Sequence, residues 1–396
     1  WRFWRTMPAK GTIGIYVGSW YSDPIAQRVH KDTKEADLQL QLTQIKQLEQ
    51  ELADDGTLII KCWLHLKKDQ QKKRLKLLEN NPETAWQVTN RDKKHLKIYD
   101  DFARVAETVL KETSSTQNPW RIIDGSDIRY SSLTVGQRVL DKIKAHIAAH
   151  ELKQSMPVPT RSAPIIHGNQ PKILDSLDLS LELDKKDYNE KLKFYQGKLN
   201  KLARYAHQKK TSSVLVFEGW DAGGKGGAIR RLTRALDSRN YQVIPIAAPT
   251  DEEQVQHYLW RFWRHMSRAG RITIYDRSWY GRVLVERVEG FASEQEWTRA
   301  YSEITNFEKS LTDHGIVLLK FWLHIDPDEQ LRRFKEREKI SYKQHKITEE
   351  DYRNRDKWAE YSLAVNDMVA HTSSQKTSWT LVEANNKRYA RSKFIK

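Results

Sequence analysis

Two kinds of segment alternate along the second half of the chain. Short runs rich in apolar and β-branched residues, such as those at 214–217 and 272–275, are typical of buried strands. Between such runs, apolar residues recur at helical spacing, as at 227–238, 251–267 and 294–312. This alternation predicts an α/β fold, in which helices cover both faces of a parallel sheet. Ligands then bind at the carboxyl ends of the strands.

The first half of the chain repeats this pattern. Trp1–Met7 differs from Trp260–Met266 at one position, and thirteen of residues 1–21 are identical to those 259 places later. The same register holds as far as Tyr130, which matches Tyr389. Chance does not keep one register over about 130 residues, so the chain is a tandem repeat of one domain.

The predicted domains are 1–153 and 175–396, joined by a linker at 154–174 that contains four prolines. The first copy has no counterpart of the segment before Trp260, so it is expected to be N-terminally incomplete and to expose a sheet edge. Its predicted helices are 33–52, 69–78, 100–111 and 136–152, and its predicted strands are 57–66, 120–123 and the residues that match 271–275.

A glycine-rich segment follows the strand at 214–217. Gly219, Gly224 and Lys225 have the spacing G-x-x-x-x-G-K of a phosphate-binding loop, in which backbone N–H groups and a helix start surround phosphate oxygens. The usual next residue is a Ser or Thr that holds Mg²⁺, but this chain has Gly226. Asp221, inside the loop, is therefore the candidate metal ligand. The alternative is a glycine-rich turn that only connects strand to helix.

A second carboxylate, Asp276, ends the strand at 271–275, where it could complete a Mg²⁺ site. The alternative is that Asp276 caps the next helix. In the first copy Val17 replaces Asp276. Gly18 and Asp23 replace Arg277 and Arg282 there, so that copy is predicted to be degenerate and catalytically inactive.

The chain of 396 residues has 68 Lys and Arg against 52 Asp and Glu, a net charge of +16 that favours a polyanionic partner. Arg230, Arg231 and Arg234 crowd a helix start, where they oppose the helix dipole unless an anion binds. A single cysteine, Cys62, fits a reducing compartment, and no apolar run is long enough for a bilayer. A cytoplasmic protein without a membrane partner is expected.

The two motifs together have a family likeness. Phe217-Glu-Gly-Trp-Asp-Ala-Gly-Gly-Lys-Gly-Gly and Tyr275-Asp-Arg-Ser-Trp-Tyr-Gly-Arg resemble those of the type-2 polyphosphate kinases, and of their two-domain members that use AMP. The resemblance implies a P-loop kinase-like fold and a reversible, Mg²⁺-dependent transfer of the terminal phosphoryl of inorganic polyphosphate to AMP, which gives ADP. It also implies a mobile lid at about 335–358.

The predicted site residues fall into four groups. The catalytic group is Asp221, Lys225, Asp276 and Arg277, of which Asp221 and Asp276 hold the metal; the phosphate-binding group is Gly219, Gly223, Gly224, Lys225, Gly226, Arg230, Arg231, Arg234 and Arg282; the lid group is Arg337, Arg353 and Arg355.

Several alternatives stay open at this point. The acceptor could be ADP, with ATP as product, or the donor could be ATP and the acceptor a small molecule. A protein of another class, which binds polyanions or nucleic acid without catalysis, is also compatible with the charge, although the intact Asp221, Lys225 and Asp276 argue against it. No nucleic acid is expected as a partner, and a homo-oligomer is possible.

Overall fold

The computed structural model describes residues 2–155, 173–341 and 349–396. The chain divides into two compact units. The N-terminal unit comprises Arg2 and Thr6–Thr160, and the C-terminal unit comprises Phe3–Arg5 and Arg161–Lys396. Most of the predicted linker lies outside the described residues. No helix of the described ranges is long and apolar enough to cross a membrane.

The described part of the N-terminal unit has a two-stranded parallel sheet. Leu38, Leu42 and Val109 are at most 1% exposed and form the centre of its core, because helical spacing places them on the inner faces of two helices. Its strands are β1 (Lys61–His65) and β2 (Trp120–Asp124). Its helices are α1 (Ser22–Val29), α2 (Glu35–Asp54), α3 (Lys68–Asn80), α4 (Asn90–Lys97), α5 (Tyr99–Thr113) and α6 (Ile128–Ser155).

The predicted first strand of this unit is wrong. No strand is assigned at residues 12–16, and Ile13, Ile15 and Val17 are 73, 85 and 98% exposed. The matching residues of the C-terminal unit form a strand between two parallel neighbours. The counterparts of those neighbours are not among the described residues of the N-terminal unit, so the apolar alternation there has no ladder to join.

The C-terminal unit has a sheet of five parallel strands. These are β3 (Ser213–Gly219), β4 (Tyr241–Pro245), β5 (Ile272–Asp276), β6 (Val317–His324) and β7 (Trp379–Glu383). Their order is β4-β5-β3-β6-β7, which places β3 at the centre. Val216 and Phe217 of β3 are fully buried, as a strand covered on both faces requires. The predicted α/β architecture with a parallel sheet is confirmed.

Helices pack on this sheet. They are α7 (Lys185–Gln208), α8 (Lys225–Thr233), α9 (Asp251–Gln254), α10 (Trp260–Trp263), α11 (Val285–Val288), α12 (Glu294–Asp313), α13 (Pro327–Glu338), α14 (Glu349–Asp356), α15 (Trp358–Thr372) and α16 (Lys387–Ile395). The single helix predicted at 251–267 is wrong, since two short helices stand there. His257, Leu259, Trp260 and Phe262 are all buried, so packing on several sides overrides the helical pattern.

Both units enclose the same buried ion pair. Lys320 Nζ lies 2.8 Å from each of Glu308 Oε2, Tyr280 Oη and the carbonyl oxygen of Thr372. In the N-terminal unit Lys61 makes the equivalent contacts, with Glu49 and the Thr113 carbonyl both at 2.7 Å. Each lysine therefore joins the helix before its own strand to the last residue of the helix before the next strand.

Candidate active site

The loop between β3 and α8 is shaped by glycines. Gly219 has φ +150°, and a Cβ there would meet the Leu323 carbonyl oxygen at 2.6 Å. Gly224 has φ +109° and occupies the N-cap of α8. A side chain at either position would be strained, so these two glycines let the loop turn directly from the central strand into the helix. Gly223 and Gly226 complete the predicted phosphate-binding set.

Lys225 is the first residue of α8, and its side chain reaches back into this loop. Its Nζ donates hydrogen bonds to the carbonyl oxygens of Gly219 at 2.6 Å and Trp220 at 3.3 Å. Burial, followed by the nearby Arg277 guanidinium, lowers the pKa of Lys225. The negative charges of Asp221, Asp276 and Glu218 act in the opposite direction and raise this pKa. The amine therefore lies near three carboxylates of the site.

Asp221 is held between two elements. Its Oδ1 accepts from Arg277 Nη2 at 3.0 Å, and its Oδ2 accepts from Asn354 Nδ2 of α14 at 3.2 Å. Burial raises the pKa of this carboxyl, but Lys225, Arg277 and the Asn354 hydrogen bond outweigh burial and set the pKa below its usual value. Asp221 is therefore ionised, as a cation ligand must be.

Asp276 and Arg277 stand at the carboxyl end of β5, next to the loop. Asp276 pairs in register with Phe217 of β3, and the Arg277 N–H donates to the Phe217 carbonyl at 3.0 Å. Arg277 has φ +65°, a conformation that costs about 1–3 kcal/mol for a residue with a side chain. Such strain persists where the surroundings fix it, and here it turns the guanidinium toward Asp221.

Glu218 is a site residue that the sequence analysis missed. It is 5% exposed, and its Oε1 accepts from Ser278 Oγ at 2.7 Å. Burial raises the pKa of Glu218, and Ser278, Lys225 and Arg277 act against that rise. The available signal is an acidic residue directly after the apolar run of the central strand, where a charge is costly without partners.

The predicted arginines lie in different surroundings. Arg230 on α8 and Arg234 directly after it are exposed, whereas Arg231 is half-buried and donates to the Gly227 carbonyl at 2.9 Å. Arg282 contacts other residues: its Nε is 3.2 Å from Glu286 Oε2, and its guanidinium lies 4.5 Å from the centre of the Tyr258 ring. No described contact links Arg282 to the loop, and its phosphate role stays a prediction.

The predicted lid at about 335–358 is described in part, because residues 342–348 lie outside the described ranges. Arg337 is half-buried on α13. On α14, Arg353 Nε lies 3.5 Å from Glu289 Oε2, and Arg355 donates to the Pro327 carbonyl. Two other residues of the predicted lid contact the loop: Asn354 donates to Asp221, and the Trp358 ring stacks on the Trp220 ring with centroids 3.7 Å apart. Neither is among the predicted lid residues.

The chemistry of the donor set fits a hard divalent cation. Asp221 and Asp276 carry carboxylate oxygens, the kind of ligand that Mg²⁺ prefers, and Mg²⁺ commonly binds one or two carboxylates together with substrate phosphates. No group of three or more His, Cys, Asp or Glu side chains that could hold a metal occurs in the described part of the chain.

The fold and the site define a class: α/β proteins that carry a glycine-rich, phosphate-binding type of loop between a central parallel strand and a helix. The model of the Polyphosphate kinase 2 (PPK2) family matches residues 1–151 and 182–396. The chain belongs to this family. The resemblance found in the sequence is confirmed, and the two matched stretches correspond to the two copies of the repeat.

Relatives match over the whole length of the chain. A polyphosphate:AMP phosphotransferase from Pseudomonas syringae pv. tomato is 50% identical, with 100% of this chain and 79% of the relative covered. A protein of that name from Pseudomonas aeruginosa is also 50% identical, over the same shares of the two chains. A crystal structure from P. aeruginosa, described provisionally as a polyphosphate kinase 2, has a TM-score of 0.85 and 47% identity, and covers 100% of this chain and 78% of that one.

Proposed function

We propose that this chain transfers the terminal phosphoryl group of inorganic polyphosphate to AMP, reversibly and with Mg²⁺. The observation that carries the proposal is the convergence of Asp221, Lys225 and Arg277 at the glycine loop, in a chain that matches polyphosphate:AMP phosphotransferases over its full length. The anhydride bond to the terminal phosphorus of polyphosphate breaks, and a new bond forms from that phosphorus to a phosphate oxygen of AMP. ADP and a polyphosphate one unit shorter result.

The protein's own contribution is position and charge, because phosphoryl transfer needs little covalent chemistry from the enzyme. Lys225 would leave the carbonyls of Gly219 and Trp220 for phosphate oxygens, and Arg277 would neutralise charge on the transferred group. Asp221 and Asp276 would hold Mg²⁺, which when bound supplies positive charge next to the phosphate oxygens. The low pKa of Asp221 keeps this ligand ionised.

Helices α13 and α14 lead into and out of the lid region. We assign Arg337, Arg353 and Arg355 to phosphate contacts on closure, and the Asn354–Asp221 hydrogen bond of 3.2 Å already joins α14 to the loop. A closed lid would exclude water, which otherwise competes with AMP as the acceptor. The exposed Arg230 and Arg234, with Arg231 and Arg282, are proposed to guide polyphosphate. A homo-oligomer stays a prediction.

The direct test is to incubate the purified chain with AMP, long-chain polyphosphate and Mg²⁺, and to separate the nucleotides by chromatography. ADP should form, and it should not form when ATP replaces polyphosphate as the donor. A parallel reaction starts from ADP. Formation of ATP from ADP without consumption of AMP would overturn the assignment of AMP as acceptor, and polyphosphate binding without any turnover would overturn the enzyme assignment.

A further inference from the structure

A buried arginine connects helix α13 to the phosphate-binding loop. Arg333 is 2% exposed, and its Nη1 donates to the carbonyl oxygens of Ala222 at 2.8 Å and Gly223 at 3.1 Å. Its Nη2 donates to the carbonyl of Asn385 at 2.9 Å and to that of Ala384. The planar guanidinium thus fixes the loop against the turn between β7 and α16.

A neighbouring side chain extends this contact along the loop. Gln330, one turn earlier on α13 and 2% exposed, donates from Nε2 to the carbonyl of Asp221 at 3.1 Å. Three successive carbonyls, those of Asp221, Ala222 and Gly223, are therefore held by α13. Glu329 on the same helix completes the arrangement, because its carboxylate pairs with Arg333 Nε.

The direction of these carbonyls decides the direction of the loop's N–H groups. In a trans peptide the C=O and the following N–H point to opposite sides. When α13 holds the carbonyls of Asp221 and Gly223, the N–H groups of Ala222 and Gly224 are directed away from α13. Where such N–H groups converge, they form an anion-binding concavity. Ala222 also has φ 59°, a strained conformation that the Arg333 contact helps to hold.

We propose that Arg333, supported by Gln330, is a positioning residue that holds the loop in its polyphosphate-binding shape from the helix at the base of the lid. This inference rests on the proposed function for the identity of the anion. The described hydrogen bonds of Arg333 go to backbone carbonyls and to Glu329, which assigns it a positioning role rather than a catalytic one. It acts by fixing the backbone of the loop.

The tandem repeat offers matched controls. Arg74 of α3 stands 259 positions before Arg333 and is exposed. The described part of the N-terminal unit contains no counterpart of the phosphate-binding loop for Arg74 to contact. Arg332 is adjacent to Arg333 on α13 but has a side chain that is 53% exposed and pairs with Glu329 and Glu336. Arg74→Ala and Arg332→Ala remove the same side chain without removing the carbonyl contacts.

The experiment compares these two variants with Arg333→Ala and Arg333→Lys. The affinity for long-chain polyphosphate is measured by calorimetry, and kcat and the KM for polyphosphate are measured at saturating AMP. Loss of hydrogen bonds to the loop should weaken polyphosphate binding by about tenfold or more in Arg333→Ala. Arg333→Lys should recover part of that loss, since one ammonium group cannot reach all four carbonyls. The two control variants should stay within about twofold of the wild type, because their exposed pairs contribute little.

Added guanidinium at millimolar concentration should restore part of the activity of Arg333→Ala, because it can refill the site of the missing group. A folded Arg333→Ala protein with wild-type affinity and KM for polyphosphate would overturn the inference. If Arg333→Ala does not fold, the variant Gln330→Leu provides the test. It removes the hydrogen bond from Gln330 to the Asp221 carbonyl and should weaken polyphosphate binding by about three- to tenfold. An unchanged affinity in that variant contradicts the inference. The binding measurement does not depend on turnover, so an inactive wild type would refute the proposed function alone.

Discussion

The two units of this chain keep the same interior and differ at the end of the sheet. Tyr280, Glu308 and Lys320 form a buried network in the C-terminal unit, and Tyr21, Glu49 and Lys61 repeat it in the N-terminal unit. Tyr21 Oη donates to Glu49 at 2.6 Å, as Tyr280 does to Glu308. These groups were therefore retained in both copies of the domain.

The groups around the phosphate-binding loop were not retained. Val17 and Gly18 occupy the positions of Asp276 and Arg277, whereas Ser19-Trp20-Tyr21 matches Ser278-Trp279-Tyr280. One short motif thus contains two kinds of residue. Its Asp-Arg part lies at the candidate site, and its Trp-Tyr part packs inside the domain, where Trp279 donates to the buried Glu308 and Trp20 donates to the buried Glu49. The predictions below test this division.

The largest effect is expected when Asp276, at the end of β5, is replaced by valine, which is the residue at the matching position 17 of the N-terminal unit. Asp276→Val removes a carboxylate from the site and should lower kcat/KM at least a thousandfold, about 4 kcal/mol in transition-state stabilisation. The variant should still fold, because valine is tolerated at the end of a buried strand. Chromatographic measurement of ADP formation gives the rate, and Val17→Asp is the control that should change nothing. A rate within tenfold of the wild type would contradict the role of Asp276.

The next effect concerns stability. Lys320→Met leaves Glu308, which is 1% exposed, without its cation, and should reduce the free energy of unfolding by about 3–5 kcal/mol. Urea unfolding followed by tryptophan fluorescence measures it. Lys61→Met in the N-terminal unit should cost a similar amount while leaving kcat unchanged in the protein that remains folded. If Lys61→Met leaves the free energy of unfolding unchanged, the retained network does not stabilise each unit.

Much of the difference between the two units can be predicted from the sequence, because this difference depends on residues at fixed spacing. The glycine loop, Asp221, Asp276 and the parallel sheet follow from local pattern, and the repeat follows from register. The contacts of Arg333 and Asn354 do not, since each joins residues more than a hundred positions apart. The break in the helix at 251–267 was likewise unpredictable, because burial of His257 and Leu259 depends on neighbours from distant elements.

A smaller effect should appear in the pH dependence of stability. Burial lowers the pKa of His324 to about 4, although Asp326, Asp175 and Glu383 act to raise it. Its neutral Nδ1 accepts from Trp220 Nε1 at 3.0 Å. Between pH of about 6.5 and 4 the unfolded chain binds the proton and the folded chain does not, so stability is present above 6.5 and is lost as pH falls toward 4.

The loss should amount to about 2–3 kcal/mol across that pH window. Urea unfolding at several pH values measures it, and His324→Asn, which keeps an acceptor but does not titrate, should flatten the profile. His65→Asn is the matched variant at the equivalent position in the N-terminal unit. A profile that is the same in wild type and His324→Asn would show that Trp220 does not depend on a neutral imidazole.

The smallest effect should come from the exposed arginines on α8 and at its C-cap, which have no counterpart in the described N-terminal unit. Arg230→Gln or Arg234→Gln should raise the KM for polyphosphate by about two- to fivefold, because each exposed charge attracts the polyanion weakly through solvent. The difference from wild type should vanish in 0.5 M salt, where the Debye length falls to about 4 Å. Steady-state kinetics at low and high salt measure it. An effect that persists at high salt would instead place these side chains in direct, desolvated contact with phosphate, and the division between a guiding surface and a buried site would need to be redrawn.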